Sequence, residues 1–140
     1  MSKFSGLEVQ VEETRRLVLL NPTTGQPLRN KATGEDAWID LLPTDSEVSR
    51  KHERAVLTRR IQRQVKKLKA EELEAETTDL LAKLTKAWSL VTISGAPLDV
   101  PCTEENAREL YSMASLAWLR RQVNDFTADL GNWTPSNSTN

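Results

Sequence analysis

The chain has 140 residues, of which 28% are charged, with a formal net charge of −1 and a single cysteine. That length fits one domain with a modest core, and the balanced charge supplies no overall field toward nucleic acid or an anionic membrane. One cysteine excludes an internal disulfide and a thiolate metal cluster. "MSKFSGLEVQVEE" lacks the long apolar core of a signal peptide and no run is long enough to span a bilayer, so a cytoplasmic protein is expected.

In chain order, "LVLLNPTTGQPLRNKATGEDAWIDLL" carries two apolar segments, Leu17 to Leu20 and Ala37 to Leu42, around a connection rich in Gly, Pro, Asn and Thr. This predicts a strand pair with a long loop, turns at Thr24-Gly25 and Thr33-Gly34, and room for a third extended piece near Leu28. Pro43 then opens "PTDSE", in which Thr44 and Glu47 have capping-box spacing, so a helix is expected over most of Thr44 to Lys69. Leu57, Ile61, Val65 and Leu68 make its narrow apolar stripe. Nine basic residues lie between Arg50 and Lys69, opposed only by Glu53, before the sign reverses at Glu71. Such a block change predicts two segments folded back on each other or a solvated charged helix.

Leu73, Thr77, Leu80, Leu81, Leu84, Ala87, Trp88 and Val91 share a broad face, which predicts a core-facing helix over Glu72 to Trp88. "ISGAPLDVPC" interrupts it and leads to Thr103, an N-cap followed by Glu104 and Glu105 at the positive helix end. Helices are expected over Thr103 to Ala114 and Ser115 to Leu130, with one continuous helix as the alternative. The second has a seam of Leu116, Leu119, Val123, Phe126 and Leu130 and stops at Gly131, a residue suited to a left-handed helix end, with Pro135 soon after. The closing "PSNSTN" has no apolar anchor. The expected fold is therefore mainly α, with a small amino-terminal β-hairpin followed by about four helices packed as a hairpin or bundle. Segments 1–43, 44–133 and a mobile tail 134–140 divide the chain, and no internal repeat is read.

Catalytic chemistry finds little support in these residues. His52, the only histidine, sits in the basic run, where a solvated side chain is the plain reading. Cys102 has no Cys or His partner at zinc-ligand spacing, and the glycines do not form a phosphate loop. No catalytic residue, metal ligand or cofactor is assigned, and an enzyme is not expected. The basic helix suggests a phosphate-tracking surface, but no aromatic residue is interleaved with its charges, so pairing with the acidic block or with an acidic partner protein is preferred.

"DVPCTEENARELYSMASLAWLRRQVNDFTADLGNW" resembles the carboxy-terminal signature of tail assembly chaperones of long-tailed phages. The matching positions are Thr103, Glu104, Asn106, Ala107, Leu110, Tyr111, Trp118, Leu119, Gln122, Val123, Phe126, Gly131, Asn132 and Trp133. Leu80 to Leu90 is similar to the family's central helix. In the first half only the organisation matches, and Trp133 stands where the family more often has Phe. The resemblance implies a non-enzymatic morphogenesis protein that coats the tape measure protein, helps recruit tail tube subunits and associates with itself. It further implies a location in the bacterial host cytoplasm rather than the mature virion. Many such proteins occur in two frameshift-related forms, and this chain would be the short one. Alternatives are a basic-helix nucleic-acid binder and an unrelated helical adaptor.

Under that resemblance the candidate partner-binding residues are Trp118, Leu119, Gln122, Val123, Phe126 and Trp133. A tape measure protein with apolar helical stripes would be covered in the helix-in-groove manner. The plainer reading of the seam is closure of the monomer core against Leu80, Leu84 and Trp88. Trp118 lies about a quarter turn off the seam and reads equally as core edge or as an interface anchor.

Overall fold

Four short strands and four helices alternate along the chain in a computed structural model that describes residues 3–64 and 69–134. They are β1 (Arg15–Val18), β2 (Trp38–Leu41), α1 (Glu47–Gln62), α2 (Ala70–Leu84), β3 (Thr85–Val91), β4 (Pro97–Leu98), α3 (Glu104–Ser112) and α4 (Ala117–Ala128). The strands form one antiparallel sheet in the order β1-β2-β3-β4. This corrects the mainly α expectation, in which strands were confined to an amino-terminal hairpin. Half of the sheet comes from the second half of the chain, and residues before Pro43 share one sheet and one core with residues beyond it.

The expected strand pair is present. Arg15 to Val18 stands opposite Trp38 to Leu41, and Arg16 donates to both carboxylate oxygens of Asp40 (2.9 and 3.2 Å) while lying 3.6 Å from the Trp38 ring centre. Between the strands the chain makes one turn twice, nine residues apart in sequence, at Asn21 to Gln26 and Asn30 to Glu35. In each, the Asn side chain accepts the amide two residues on, the Thr hydroxyl accepts another, and the Asn carbonyl accepts the Gly amide. Gly25 and Gly34 have φ of 72° and 78°, a region open to glycine at no steric cost. Leu28 donates to the Leu19 carbonyl, Ala37 to that of Leu28 and Leu19 to that of Ala37, so three buried residues close a ring. The extended piece at Leu28 is thus real, and the turns repeat although no repeat was expected; only Asn, Thr and Gly recur at matching places.

The helix expected to reach Trp88 ends at Leu84, and Thr85 begins β3. Trp88 lies opposite Ile39 and Ser89 opposite Trp38. The physical reason is the free edge of β2. A two-stranded ribbon is marginal alone, and "TKAWSLV" contains β-branched and aromatic residues that suit a half-buried pleated surface. Thr85 fixes the changeover, because its hydroxyl donates to the Leu81 carbonyl and also contacts the buried Tyr111 hydroxyl at 2.7 Å. Burial pushes the Tyr111 phenol well above its ordinary range.

The capping box at Thr44 does not form. α1 starts at Glu47 after Ser46, whose hydroxyl donates to the Pro43 carbonyl, while Thr44 turns to the Thr127 carbonyl. The Glu47 amide is satisfied instead by the Glu12 carboxylate at 3.0 Å, a partner 35 residues away that local spacing could not indicate. α1 buries Ser49, His52 and Val56 rather than the expected stripe: Leu57 and Ile61 are 55% and 68% exposed. It also ends at Gln62, short of Lys69, and the stripe residues Val65 and Leu68 lie outside the described residues.

Thr103 caps α3 as expected, its hydroxyl oxygen accepting the Asn106 amide at 3.0 Å. The chain breaks between α3 and α4 with a short 3-10 turn at Ala114–Leu116. The left-handed stop expected at Gly131 does not occur. Asp129 accepts the Gly131 amide at 2.9 Å and starts a 3-10 turn, Leu130–Trp133, which folds Trp133 back into the core. The tail residues 135–140 lie outside the described residues. No described helix is long and apolar enough to cross a membrane.

Candidate functional site: the α1–α2 helical hairpin

The structure distributes the six sequence-predicted partner residues over the monomer's own contacts. Leu119, Val123 and Trp133 are buried, and Trp118 and Phe126 are half-buried against the same core. Phe126 meets Trp133 edge-on, with ring centres 5.2 Å apart, and the Trp133 indole N–H donates to the Glu13 carbonyl at 2.7 Å. Gln122 is a clip: its amide oxygen accepts the Leu20 N–H and its amide nitrogen donates to the Leu20 carbonyl, both at 2.9 Å. It presents to the chain just after β1 the two groups that a neighbouring strand would offer. Of the seam, Leu119 and Val123 lie in the monomer core with Phe126 half-buried against it, Leu116 is half-buried, and Leu130 stays 37% exposed.

Exposed large apolar side chains occur near the amino terminus (Phe4, Leu7), around β4 (Ile93, Leu98, Val100) and on the hairpin of α1 and α2, where three of them, Leu57, Ile61 and Leu73, belong to two facing helices. α1 meets α2 along a ridge that includes His52, Val56 and Arg60, and Arg60 forms an ion pair with Glu76. A cleft of about 220 Å³ runs along one flank, walled by Val56 and Leu57 of α1 and Leu73, Thr77 and Leu80 of α2. Leu57 and Leu73 are 55% and 48% exposed there, and Ile61, one helical turn beyond Leu57 and outside the cleft lining, is 68% exposed. Leu57 and Ile61 belong to the narrow apolar stripe expected from the sequence, which left open the face of the helix that is covered. The usable signal was the poverty of the stripe itself: a helix whose buried face is Ser49, His52 and Val56 has little apolar area to spend on its own fold.

The opposite flank of α1 is basic. Two clefts of about 320 and 270 Å³ lie along it, the first lined by Val48, Lys51, Ala55, Lys83 and Lys86, the second by Arg59, Arg63, Glu72 and Ala75. Between the flanks sits His52, buried rather than solvated as expected from its basic surroundings. Its Nδ1 is 3.4 Å from Lys83 Nζ and 3.6 Å from an Asp79 carboxylate oxygen. Burial and then the Lys83 charge hold the imidazole below its ordinary pKa, only partly opposed by Asp79. Asp79 accepts from Lys83 at 3.1 Å and from Arg108 of α3 at 2.8 Å. Burial works against its ionisation, but those hydrogen bonds prevail and keep the carboxyl below the usual range. This group ties α1, α2 and α3 together.

Among the described residues no group of three or more His, Cys, Asp or Glu side chains is placed to hold a metal ion. Burial, and then Asp40, push the Cys102 thiol up, away from thiolate reactivity. No protein-family model matches this chain, and comparisons with curated proteins and with solved structures found no match.

Proposed function

We propose that the protein is a non-enzymatic tail assembly chaperone that holds amphipathic helices of a tape measure protein in the Leu57–Leu73 cleft of its α1–α2 hairpin. The observation that supports this reading is the uncovered apolar line of Leu57, Ile61 and Leu73 beside a two-helix groove. Two roughly parallel ridges are the shape a third helix packs against, with anchors at helical spacing. Burying such side chains fully is worth up to about 1.5–3 kcal/mol each, offset by the cost of association and ordering. The resemblance of Asp99 to Trp133 to the chaperone signature supplies the client's identity. In this reading tail tube subunits and further copies of the chain gather on the coated client in the bacterial host cytoplasm, and the chaperone leaves before the virion matures.

The decisive experiment is co-expression with the tape measure protein of the same genome, followed by affinity capture. The client should stay soluble and co-purify with the parent chain. A Leu57→Asp, Leu73→Asp double variant should retain its circular dichroism and lose the client. Equal capture by parent and variant would remove the cleft from the account, and an insoluble client that is never captured would remove the chaperone reading.

A further inference from the structure

We propose that the basic flank of the hairpin, opposite the apolar cleft, is a docking groove for an acidic polypeptide segment of a partner protein. The charge accounting along α1 carries this. Arg50 and Arg54 share Glu47, and Arg60 is held by Glu76. Among the described residues no carboxylate lies within ion-pairing distance of Lys51, Arg59 or Arg63, nor of Lys86 at the start of β3. All four are exposed, and all four line the clefts of this one flank. The remaining acid of α1, Glu53, is on the other side of the helix, at the apolar cleft. The surplus charge is thus sorted onto one face and is not spread around the helix.

Spacing and lining define the partner's chemistry. Lys51, Arg59 and Arg63 run along α1 for roughly 18 Å, the rise of twelve residues, with Ala55 in the row where a fourth base would stand. Val48 and Ala55 in one cleft and Ala75 in the other add small aliphatic side chains between the cations, against which Leu, Val or Ala of a partner can pack. Carboxylates at helical spacing would meet the cations singly. A continuous phosphate backbone fits less well, because Glu72, Glu76 and Glu104 also line these clefts. No Phe, Tyr or Trp ring lines them to stack a base, and the one imidazole there, His52, is buried. The groove is separate from the Leu57–Leu73 cleft, so this inference stands or falls without the client reading.

The test uses fluorescence anisotropy on the full chain with three labelled probes: a helical peptide of alternating Glu and Leu/Ala turns, its counterpart with Lys for Glu, and a short DNA duplex. The Glu peptide should bind at least about tenfold more tightly than the Lys peptide, with the advantage shrinking as salt is raised. Lys51→Glu, Arg59→Glu, Arg63→Glu together should cost about tenfold or more, and the corresponding Gln variant an intermediate amount. Leu57→Ser, on the other flank, should leave the preference for the Glu peptide over the Lys peptide within about twofold of the parent's. The substituted side chains are exposed and unpaired, so unchanged thermal melts are expected. Absent Glu-peptide binding, equal binding by parent and triple-Glu variant, tighter binding of DNA, or a self-dimer abolished by the same substitutions would each overturn the proposal.

Discussion

Truncating Trp133 to Ala tests whether the carboxy-terminal residues belong to the monomer core. The Trp133 side chain is fully buried, so deletion removes its transfer energy and leaves a cavity, a loss of about 3–5 kcal/mol. Within that figure the edge-on contact with Phe126 accounts for about 0.5–1.5 kcal/mol and the indole bond to the Glu13 carbonyl for about 0.5–1.5 kcal/mol. A domain of this size has only about 5–15 kcal/mol of net stability, so the variant should unfold at far lower urea. The amino-terminal arm reports separately, because the Trp133 carbonyl accepts the Gln10 amide. Hydrogen exchange at Gln10 should accelerate more than exchange in α2. Trp133→Phe keeps most of the ring but drops the indole bond, and should recover over half of the loss. Urea unfolding followed by circular dichroism measures both variants against the parent, and amide exchange followed by NMR reads Gln10. A Trp133→Ala cost below about 1 kcal/mol, with partner binding abolished, would refute the core assignment and return Trp133 to the interface.

Further outcomes follow from other contacts. Gln122→Ala should cost about 1–2 kcal/mol, since two hydrogen bonds to the Leu20 backbone are lost, and urea titration measures it. Ser49→Ala should be neutral or stabilising by up to about 1 kcal/mol in thermal unfolding, because the buried Ser49 hydroxyl has no hydrogen-bond partner among the described residues. Acidification should destabilise the parent through His52: its pKa is lowered in the fold, so the unfolded chain takes up the proton first. The contribution is complete above the unfolded value near 6.5 and falls as pH drops from there toward the folded value. His52→Gln should flatten that window and leave the separate loss at lower pH, where Asp79 protonates. Unfolding midpoints at pH 7.0, 6.0 and 5.0, with imidazole shifts by NMR, check it, and a parent whose stability is constant across the window would refute the buried imidazole.

Elements whose signals are local were legible in the sequence. β1 and β2, the glycine turns at Gly25 and Gly34, the Thr103 cap and the break before α4 depend on residues a few positions apart, whose hydroxyls, amides and steric freedom act on their own neighbourhood. Tertiary contact decided the rest. Leu81, Leu84, Trp88 and Val91 satisfy a helical face, yet Trp88 and Val91 also suit a strand, and the unpaired edge of β2 settles which applies. α1 has both an apolar stripe and a polar face containing Ser49 and His52; Asp79, Lys83 and Arg108, from α2 and α3, hold the polar one inward and leave Leu57 and Ile61 outside. Gln122 shows no more in sequence than a polar helix position, and its clip on Leu20 exists only because the fold brings residues 102 positions apart together just beyond β1. Periodicity states that a face is meant to be covered, since apolar area leaves water wherever it can. Which face is covered, and by what, depends on which groups the rest of the chain brings opposite it, and that geometry belongs to the fold alone.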